Sequence, residues 1–116
     1  MKTLRLRRFL PARGQRIILT PLDHGVSLGP IPGLTDVEAT LRVLAKMGKV
    51  RGVILHKGTL ESCAHELAKM PSMATVLHLS GSVGLSPDSD WKWLVPSVED
   101  ALRLGADAVS VHRRRA

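Results

Sequence analysis

Several residue types are scarce or absent in this 116-residue sequence, and their scarcity excludes whole classes of protein. The single cysteine, Cys63, excludes an internal disulfide framework and is typical of a reducing compartment such as the cytoplasm. No apolar run reaches the roughly 18 residues that a membrane-spanning helix needs. The aromatic residues are two tryptophans and one phenylalanine, and tyrosine is absent. The apolar content of 44% is that of a globular chain, and the length is that of one domain.

Positive charge is concentrated at the two ends of the chain. The formal net charge is +7, but residues 1–16 hold six basic residues and no acidic one, and Arg113–Arg115 add three more. Residues 17–112 hold eight basic and ten acidic side chains. Nucleic-acid binders usually spread basic residues over a folded face and interleave aromatics. We therefore expect a solvated basic arm over residues 1–15 and a basic tail over 113–116, with no nucleic acid and no membrane as partner. A contact with either of these, or a transit peptide, remains an alternative for the arm.

Four short apolar runs rich in β-branched residues predict the strands of the fold. They are residues 16–22, Gly52–Leu55, Ala74–Leu79 and Ala108–Val111. None of them alternates cleanly between polar and apolar side chains. That pattern is typical of strands covered on both faces, as in a parallel sheet.

Segments with helical spacing separate these runs and are predicted at residues 36–47, 60–70 and 97–104. Thr35 or Asp36 can cap the start of the first helix and Gly48 can end it, while Ser97 followed by Asp100 is an N-terminal capping pattern. Strands that alternate with helices predict βα units and a parallel sheet over residues 16–112. Four such units form either an open doubly wound sheet or half of an eight-stranded barrel.

Polar side chains stand where each predicted strand ends, the edge at which active sites of parallel α/β folds collect. Asp23 follows the first strand, His56 and Lys57 follow the second, His78 ends the third and His112 follows the fourth. A carboxylate buried at such a place must be hydrogen-bonded or take up a proton. Asp23 is therefore a candidate proton shuttle or hydroxyl ligand. The alternative is a structural carboxylate that ties its own loop.

The other residues at these strand ends have competing interpretations. Lys57 is either an imine-forming lysine or a partner of a carboxylate or bound anion. His56, His78 and His112 could hold a metal ion together, but no short ligand spacing supports this, so hydrogen-bonded core histidines are favoured and no metal is expected. The stretch Gly81–Pro96 is too long for a plain connector, and such loops are often functional.

The segment after the first strand combines features of a small-ligand loop. Gly25 permits close approach of a ligand to the backbone. Ser27 and the amides around Gly29 could bind a hydroxyl or a phosphate, although the Lys-[Ser/Thr] ending of a P-loop is missing. His24 is either part of a site or structural.

Four stretches of the sequence, in register, resemble the archaeal-type class I aldolases. They are Pro21–Ile31 (PLDHGVSLGPI), Leu55–Gly58 (LHKG), His78–Asp88 and Val98–His112, and the resemblance covers about residues 5–112. It implies an α/β fold of parallel βα units that forms the amino-terminal half of a (β/α)8 TIM barrel, because the family barrel is roughly twice this length.

The resemblance also implies a reaction and a site. A carbon–carbon bond of a phosphosugar is formed or cleaved through a lysine Schiff base, with no cofactor, with phosphosugar and aldehyde substrates and a homo-oligomeric enzyme. The most similar branch contains synthases of a route to 3-dehydroquinate and aromatic amino acids. The alternatives are the fructose-bisphosphate aldolases of the family and a non-catalytic phosphosugar-binding or assembly half-barrel. Asp23 corresponds to the family's proton-transfer aspartate. The implied substrate-binding residues are His24, Gly25, Val26, Ser27, His56 and Lys57.

Two catalytic residues of the family have no counterpart in the matched stretches. The Schiff-base lysine lies on the family's sixth strand and the acid/base tyrosine on its fifth, whereas four strands are matched here and the sequence has no tyrosine. After His112 the family continues into the next helix, where this sequence has Arg113–Arg115. We therefore expect a truncated enzyme that does not perform covalent catalysis alone.

Overall fold

A computed structural model describes residues 2–10, 13–81, 87 and 93–112 of the chain. The helices are α1 (Lys2–Phe9), α2 (His24–Leu28), α3 (Val37–Met47), α4 (Lys57–Leu67) and α5 (Val98–Arg103). The strands are β1 (Leu19–Pro21), β2 (Gly52–Leu55), β3 (Ala74–His78), β4 (Ser80–Gly81), β5 (Trp93–Leu94) and β6 (Ala108–Ser110). The four strands and three helices predicted from the sequence are all present.

Four strands form one parallel sheet in the order β1-β2-β3-β6. Leu19 lies opposite Gly52, Gly52 lies opposite Ala74, and Val76 lies opposite Ala108. Strands that are neighbours in both sequence and space, each pair joined through a helix, are what consecutive βα units produce. The prediction of parallel βα units is confirmed.

Capping residues set the helix ends that the sequence predicted. The Asp36 side chain accepts a 3.0 Å hydrogen bond from the Ala39 amide at the start of α3. Gly48 ends that helix at φ 66°, a left-handed conformation that costs glycine little. Ser97 and Asp100 form a reciprocal capping box at the start of α5.

Two helices differ from the sequence prediction: α4 begins earlier than predicted, and α2 was not predicted. Helix α4 starts at Lys57 instead of Leu60, because the Leu60 amide donates to the His56 carbonyl and closes a turn directly after β2. Helix α2 occupies the segment expected to be a loop, and a 3.0 Å bond from the Gly29 amide to the Gly25 carbonyl closes its last turn. The polar residues that follow β1 and β2 therefore lie in the first turns of helices and not in loops.

The two faces of the sheet pack against different helices. Val53, Leu55 and Leu77 are fully buried in a cluster with Leu41 of α3 and Cys63 of α4. The strand residues that alternate with these lie on the other face, where they form a second cluster with Phe9 of α1. Its buried members are Phe9, Ala74 and Val76, and Leu19, Ile54 and Ala108 pack against them. Successive strand residues point to opposite faces. The residues two positions after Ile54 and Val76, at the carboxyl ends of their strands, therefore lie on this second face as well.

Part of the segment expected to be a basic arm over residues 1–15 forms α1, which contacts the sheet. Phe9, at the end of this helix, is buried against Ala74 and Val76 of β3. A ring buried in this way stabilises the docking of an otherwise polar helix. The basic residues obscured this role in the sequence, because α1 has one buried side chain and no long apolar stripe.

A buried carboxylate ties α1 to the amino end of the sheet. The Asp107 side chain is 2% exposed and accepts a 3.0 Å hydrogen bond from the Thr75 amide. Arg8 Nη1 lies 3.0 Å from both Asp107 carboxylate oxygens, and Arg5 donates at 2.6 Å to the carbonyl of Ala106. Positive charge of the N-terminal segment is thus used within the fold.

Two predictions fall largely outside the described residues. The stretch Gly81–Pro96, expected to be a functional loop, is described at its ends, where β4 and β5 pair antiparallel. The basic tail 113–116 lies outside the described residues. Among the residues that are described, no helix has the length and apolarity to span a membrane.

Replacing Asp107 by asparagine should destabilise the chain by about 2–4 kcal/mol, since Arg8 and the Thr75 amide lose a buried charged acceptor. Urea unfolding followed by circular dichroism measures this change. Glu99→Gln, at an exposed position of α5, is the control and should stay within about 0.5 kcal/mol. Equal midpoints for the two variants would contradict the role given to Asp107.

Candidate active site at the carboxyl ends of the strands

The register of the sheet determines which side chains meet at its carboxyl end. Ile54 lies opposite Val76, and His78 lies opposite Ser110. His56 follows Ile54 by two residues, so the alternation places it on the face of His78. The Leu22 amide donates to the Ile54 carbonyl, which extends the pairing of β1 and β2 by one residue towards Asp23. Asp23, His56, His78 and Ser110 form what we call the strand-end cluster.

Direct contacts join the members of the strand-end cluster. Asp23 Oδ2 lies 3.8 Å from His78 Nε2. On the other side of the same ring, His78 Nδ1 lies 2.6 Å from Ser110 Oγ. The rings of His56 and His78 meet edge to face, with centroids 5.3 Å apart and an interplanar angle of 67°. His78 is therefore the centre of the cluster and contacts each of the other three residues.

His56 is the buried member of the cluster. Burial lowers the pKa of its imidazole below the usual value, and the neighbouring charge of His78 lowers it further. The charge of Asp23 and hydrogen bonds to the backbone of Asp23 and His78 act in the opposite direction but do not reverse the shift. His56 is therefore a neutral imidazole at pH 7.

Asp23 is not used to hold its own helix. It is the N-cap residue of α2, yet its side chain makes no capping hydrogen bond. Its carboxylate is 21% exposed and faces the His78 ring, which is 16% exposed. A solute at the strand ends can therefore reach both groups. This geometry favours the proton-shuttle interpretation of Asp23 over the loop-tying alternative.

The segment predicted to line a substrate site lies on α2, directly after Asp23. Gly25 and Val26 are exposed, and Ser27 is half-buried. His24 is half-buried, and its buried Nδ1 atom has no hydrogen-bond partner among the described residues. A buried ring nitrogen without a partner carries a desolvation cost that a ligand hydroxyl would relieve.

Lys57 does not contact the strand-end cluster through its ammonium group. Its Nζ atom lies 3.3 Å from Asp100 Oδ1 in α5. Hydrogen bonds from the Ser97 backbone, and next from Lys57, lower the pKa of the Asp100 carboxyl. The structure thus places Lys57 in the ion-pair alternative that the sequence left open.

Sequence reasoning missed Ser110 and gave His78 no place in the predicted site. Ser110 is the last residue of β6 and precedes His112 by two residues, so the alternation could have identified it once the register was known. His112 is exposed, and its amide donates to Ser80 Oγ at 2.9 Å. In the described part of the chain, no three His, Cys, Asp or Glu side chains converge on a point that could hold a metal ion.

Comparison with known proteins identifies related sequences and folds. Residues 17–115 match the DeoC/LacD family of aldolases. The chain is 40% identical over 111 residues to the 2-amino-4,5-dihydroxy-6-oxo-7-(phosphonooxy)heptanoate synthase of Streptomyces griseus, covering 96% of this chain and 39% of that protein. It is 38% identical over 111 residues to the 2-amino-3,7-dideoxy-D-threo-hept-6-ulosonate synthase of Halobacterium salinarum, covering 96% and 40% respectively.

The fold is similar to that of a Schiff-base-forming fructose-1,6-bisphosphate aldolase, with a TM-score of 0.73 and 29% sequence identity. That match covers 96% of this chain and 44% of the aldolase chain. The prediction of half an aldolase-type barrel is therefore confirmed. The chain spans about two fifths of the length of the curated relatives it matches.

Acidification should destabilise the fold through His56. Because its pKa is lower in the folded state than the ordinary 6.5, the unfolded state binds more protons in this range, so stability falls as the pH drops below about 6.5. Urea unfolding at a series of pH values between 5 and 8 measures the slope. His56→Gln should reduce this slope, whereas His65→Gln at an exposed position of α4 should leave it unchanged. A slope retained in full by the His56 variant would contradict the assignment.

Proposed function

The chain belongs to the DeoC/LacD aldolase family, and from this we propose that it supplies the proton-transfer side of a class I aldolase or transaldolase site. The proposed reaction forms or cleaves a carbon–carbon bond of a phosphosugar through a lysine imine. Asp23 is the proposed proton-transfer residue. The observation that carries the proposal is the position of its half-buried carboxylate, which lies at the end of β1, faces His78 and caps no helix.

The names of the relatives support a phosphorylated substrate. The Streptomyces protein is named for a seven-carbon keto phosphate, and the similar solved structure is that of a fructose-1,6-bisphosphate aldolase. We propose a phosphosugar and an aldehyde as the substrates of this chain. The 2-amino-3,7-dideoxy-D-threo-hept-6-ulosonate synthase activity, in a route to 3-dehydroquinate, is the first candidate because relatives at 38% and 39% identity carry that name. Fructose-bisphosphate aldolase activity is the second candidate, which the fold match favours.

The proposed substrate-binding surface is α2 together with the strand-end cluster. Helix α2 follows Asp23 directly, so a molecule in contact with that carboxylate also lies beside the helix. The Nδ1 atom of His24, which has no hydrogen-bond partner within the residues that the structure describes, supports this placement, since a ligand hydroxyl could hydrogen-bond to it. The residues proposed to bind substrate are His24, Gly25, Val26, Ser27 and His56. Lys57 is left out of this set because its ammonium group pairs with Asp100.

The imine-forming lysine is proposed to lie on a strand beyond these four. Imine formation requires a neutral amine that reaches the substrate carbonyl. The Lys57 Nζ atom lies 3.3 Å from Asp100 Oδ1 of α5, so its ammonium group is held in an ion pair. The relatives are about two and a half times as long as the matched region, which leaves room for further strands. We therefore propose that these 116 residues alone form no covalent intermediate.

A cytoplasmic location is proposed from the cysteine content. Cys63 is a free thiol in the core between the sheet and α4, and burial raises its pKa, so it remains a protonated thiol. An unpaired buried thiol is compatible with a reducing compartment.

Self-association through the edges of the sheet is also proposed. Strands β1 and β6 are the two edges of the sheet, and within the described part of the chain each is paired on one side. Ile17 and Ile18 are exposed beside β1, and Val109 and Val111 are exposed at β6. Two copies whose β1 and β6 edges pair reciprocally would close an eight-stranded barrel about a two-fold axis. The same edges favour a non-catalytic assembly module as a further candidate function.

Binding of a phosphosugar tests the proposed site. Titration of the 15N-labelled chain with dihydroxyacetone phosphate should shift the amides of α2 and of the strand ends. Asp23→Asn should weaken this binding about three- to tenfold, because a charged hydrogen-bond acceptor becomes neutral. Glu61→Gln, an exposed position of α4, is the matched control and should bind like the unmodified chain.

Two outcomes would contradict this proposal. The first is an absence of shifts in α2 at millimolar ligand. The second comes from borohydride treatment of the same mixture, which should leave the mass of the chain unchanged because an imine is required for trapping. A stoichiometric adduct mapped to Lys57 would overturn the assignment of the imine lysine to another strand.

The self-association proposal predicts twice the mass of the chain in light scattering. Val111→Lys should shift the protein towards monomer, because it places a charge at the β6 edge. Val43→Lys, at an exposed position of α3, is the control and should remain dimeric. A monomeric unmodified chain at high concentration, or a dimer undisturbed by Val111→Lys, would refute pairing through these edges.

A further inference from the structure

We propose that His78 is a positioning residue for Asp23 and that Ser110 fixes the tautomer in which it acts. The proposal rests on the proposed function, because it gives a partner to the residue assigned to proton transfer. The sequence predicted His78 neither as a catalytic residue nor as a substrate-binding residue. The structure supplies three contacts that together define its role.

The two ring nitrogens of His78 have different partners. Nδ1 lies 2.6 Å from Ser110 Oγ, a short hydrogen bond, whereas Nε2 lies 3.8 Å from Asp23 Oδ2. The partners lie on opposite sides of the ring and thereby set its plane. Ser110 is held in turn by the sheet, since its carbonyl accepts a hydrogen bond from the Leu79 amide at 2.9 Å.

When the His78 ring is neutral, the charge of the Asp23 carboxylate decides which ring nitrogen carries the proton. A carboxylate is an acceptor only, so an unprotonated Nε2 would direct its lone pair at the negative charge of Asp23. A protonated Nε2 directs an N–H dipole at that charge and remains oriented by it beyond hydrogen-bond distance. Nδ1 is then the acceptor, and the Ser110 hydroxyl donates to it. The geometry thus points to the Nε2–H tautomer, the one that directs an N–H group at the Asp23 carboxylate.

His56 keeps this arrangement in place without adding charge. Its ring packs edge to face against His78 at 5.3 Å and restricts rotation of that ring. It is buried and neutral, so it adds no positive charge beside Asp23. Among the described residues, the titratable groups in contact with His78 are Asp23 from the segment after β1 and His56 from the segment after β2.

Nitrogen NMR of the histidine rings tests the assignment. Long-range proton–nitrogen correlation spectra, recorded above the titration range of histidine, should show His78 with a protonated Nε2 and an unprotonated Nδ1. Ser110→Ala should give a mixture of tautomers, and Ser110→Thr should restore the single form because it keeps the hydroxyl. Ser62→Ala is the control, since Ser62 bonds to the Thr59 carbonyl in α4.

A second measurement connects the tautomer to Asp23. Ser110→Ala should weaken dihydroxyacetone phosphate binding about threefold to tenfold, with recovery in Ser110→Thr. A protonated Nδ1 in the unmodified chain, or a Ser110→Ala spectrum identical to it, would overturn the proposal. If the tautomer is as expected and no variant binds the phosphosugar, the proposed function fails while the tautomer assignment stands. If binding occurs but Ser110→Ala leaves it unchanged, the positioning role fails instead.

Discussion

The ladder of backbone hydrogen bonds in the parallel sheet decides which side chains of this chain can meet. With Ile54 opposite Val76 and His78 opposite Ser110, residues two apart along each strand stack in layers on one face. The layer beyond the strands is the strand-end cluster. A shift of one strand by a single residue would turn its polar residues to the face covered by α3 and α4 and its leucines to the face of the strand-end cluster. Burial of Leu55 and Leu77 against the helices therefore maintains the positions of the histidines.

The two ends of the sheet use carboxylates in opposite ways. Asp107, at the amino end, is almost fully buried, and its oxygens are bonded to Arg8 and to the Thr75 amide. Asp23, at the carboxyl end, is half-buried, caps no helix and has His78 at 3.8 Å. The hydrogen bonds of the Asp107 oxygens are made within the protein, so this carboxylate stabilises the fold. Asp23 can still accept hydrogen bonds from a ligand. Stability and proposed chemistry are thus separated along the strand direction, as in other parallel α/β proteins.

Local patterns in the sequence identified most of the fold, and long-range contacts account for what they missed. The capping residues Asp36 and Ser97 determined helix starts because caps act over three residues. The docking of α1 depends on Phe9 meeting a strand more than 60 residues away, which no local pattern encodes. Asp23 was recognised because it directly follows a strand, whereas the contact of Ser110 with His78 requires the register of β3 and β6.

The ion pair of Lys57 explains why a proton-transfer group and an imine-forming amine would reside on different strands. An amine that forms an imine must lose its proton, and a nearby carboxylate opposes that loss. Lys57 Nζ lies 3.3 Å from such a carboxylate, that of Asp100, whereas the Asp23 carboxylate lies 3.8 Å from the His78 ring. Separating the two groups by several strands lets each have its own electrostatic surroundings, and the substrate then connects them across the mouth of the barrel.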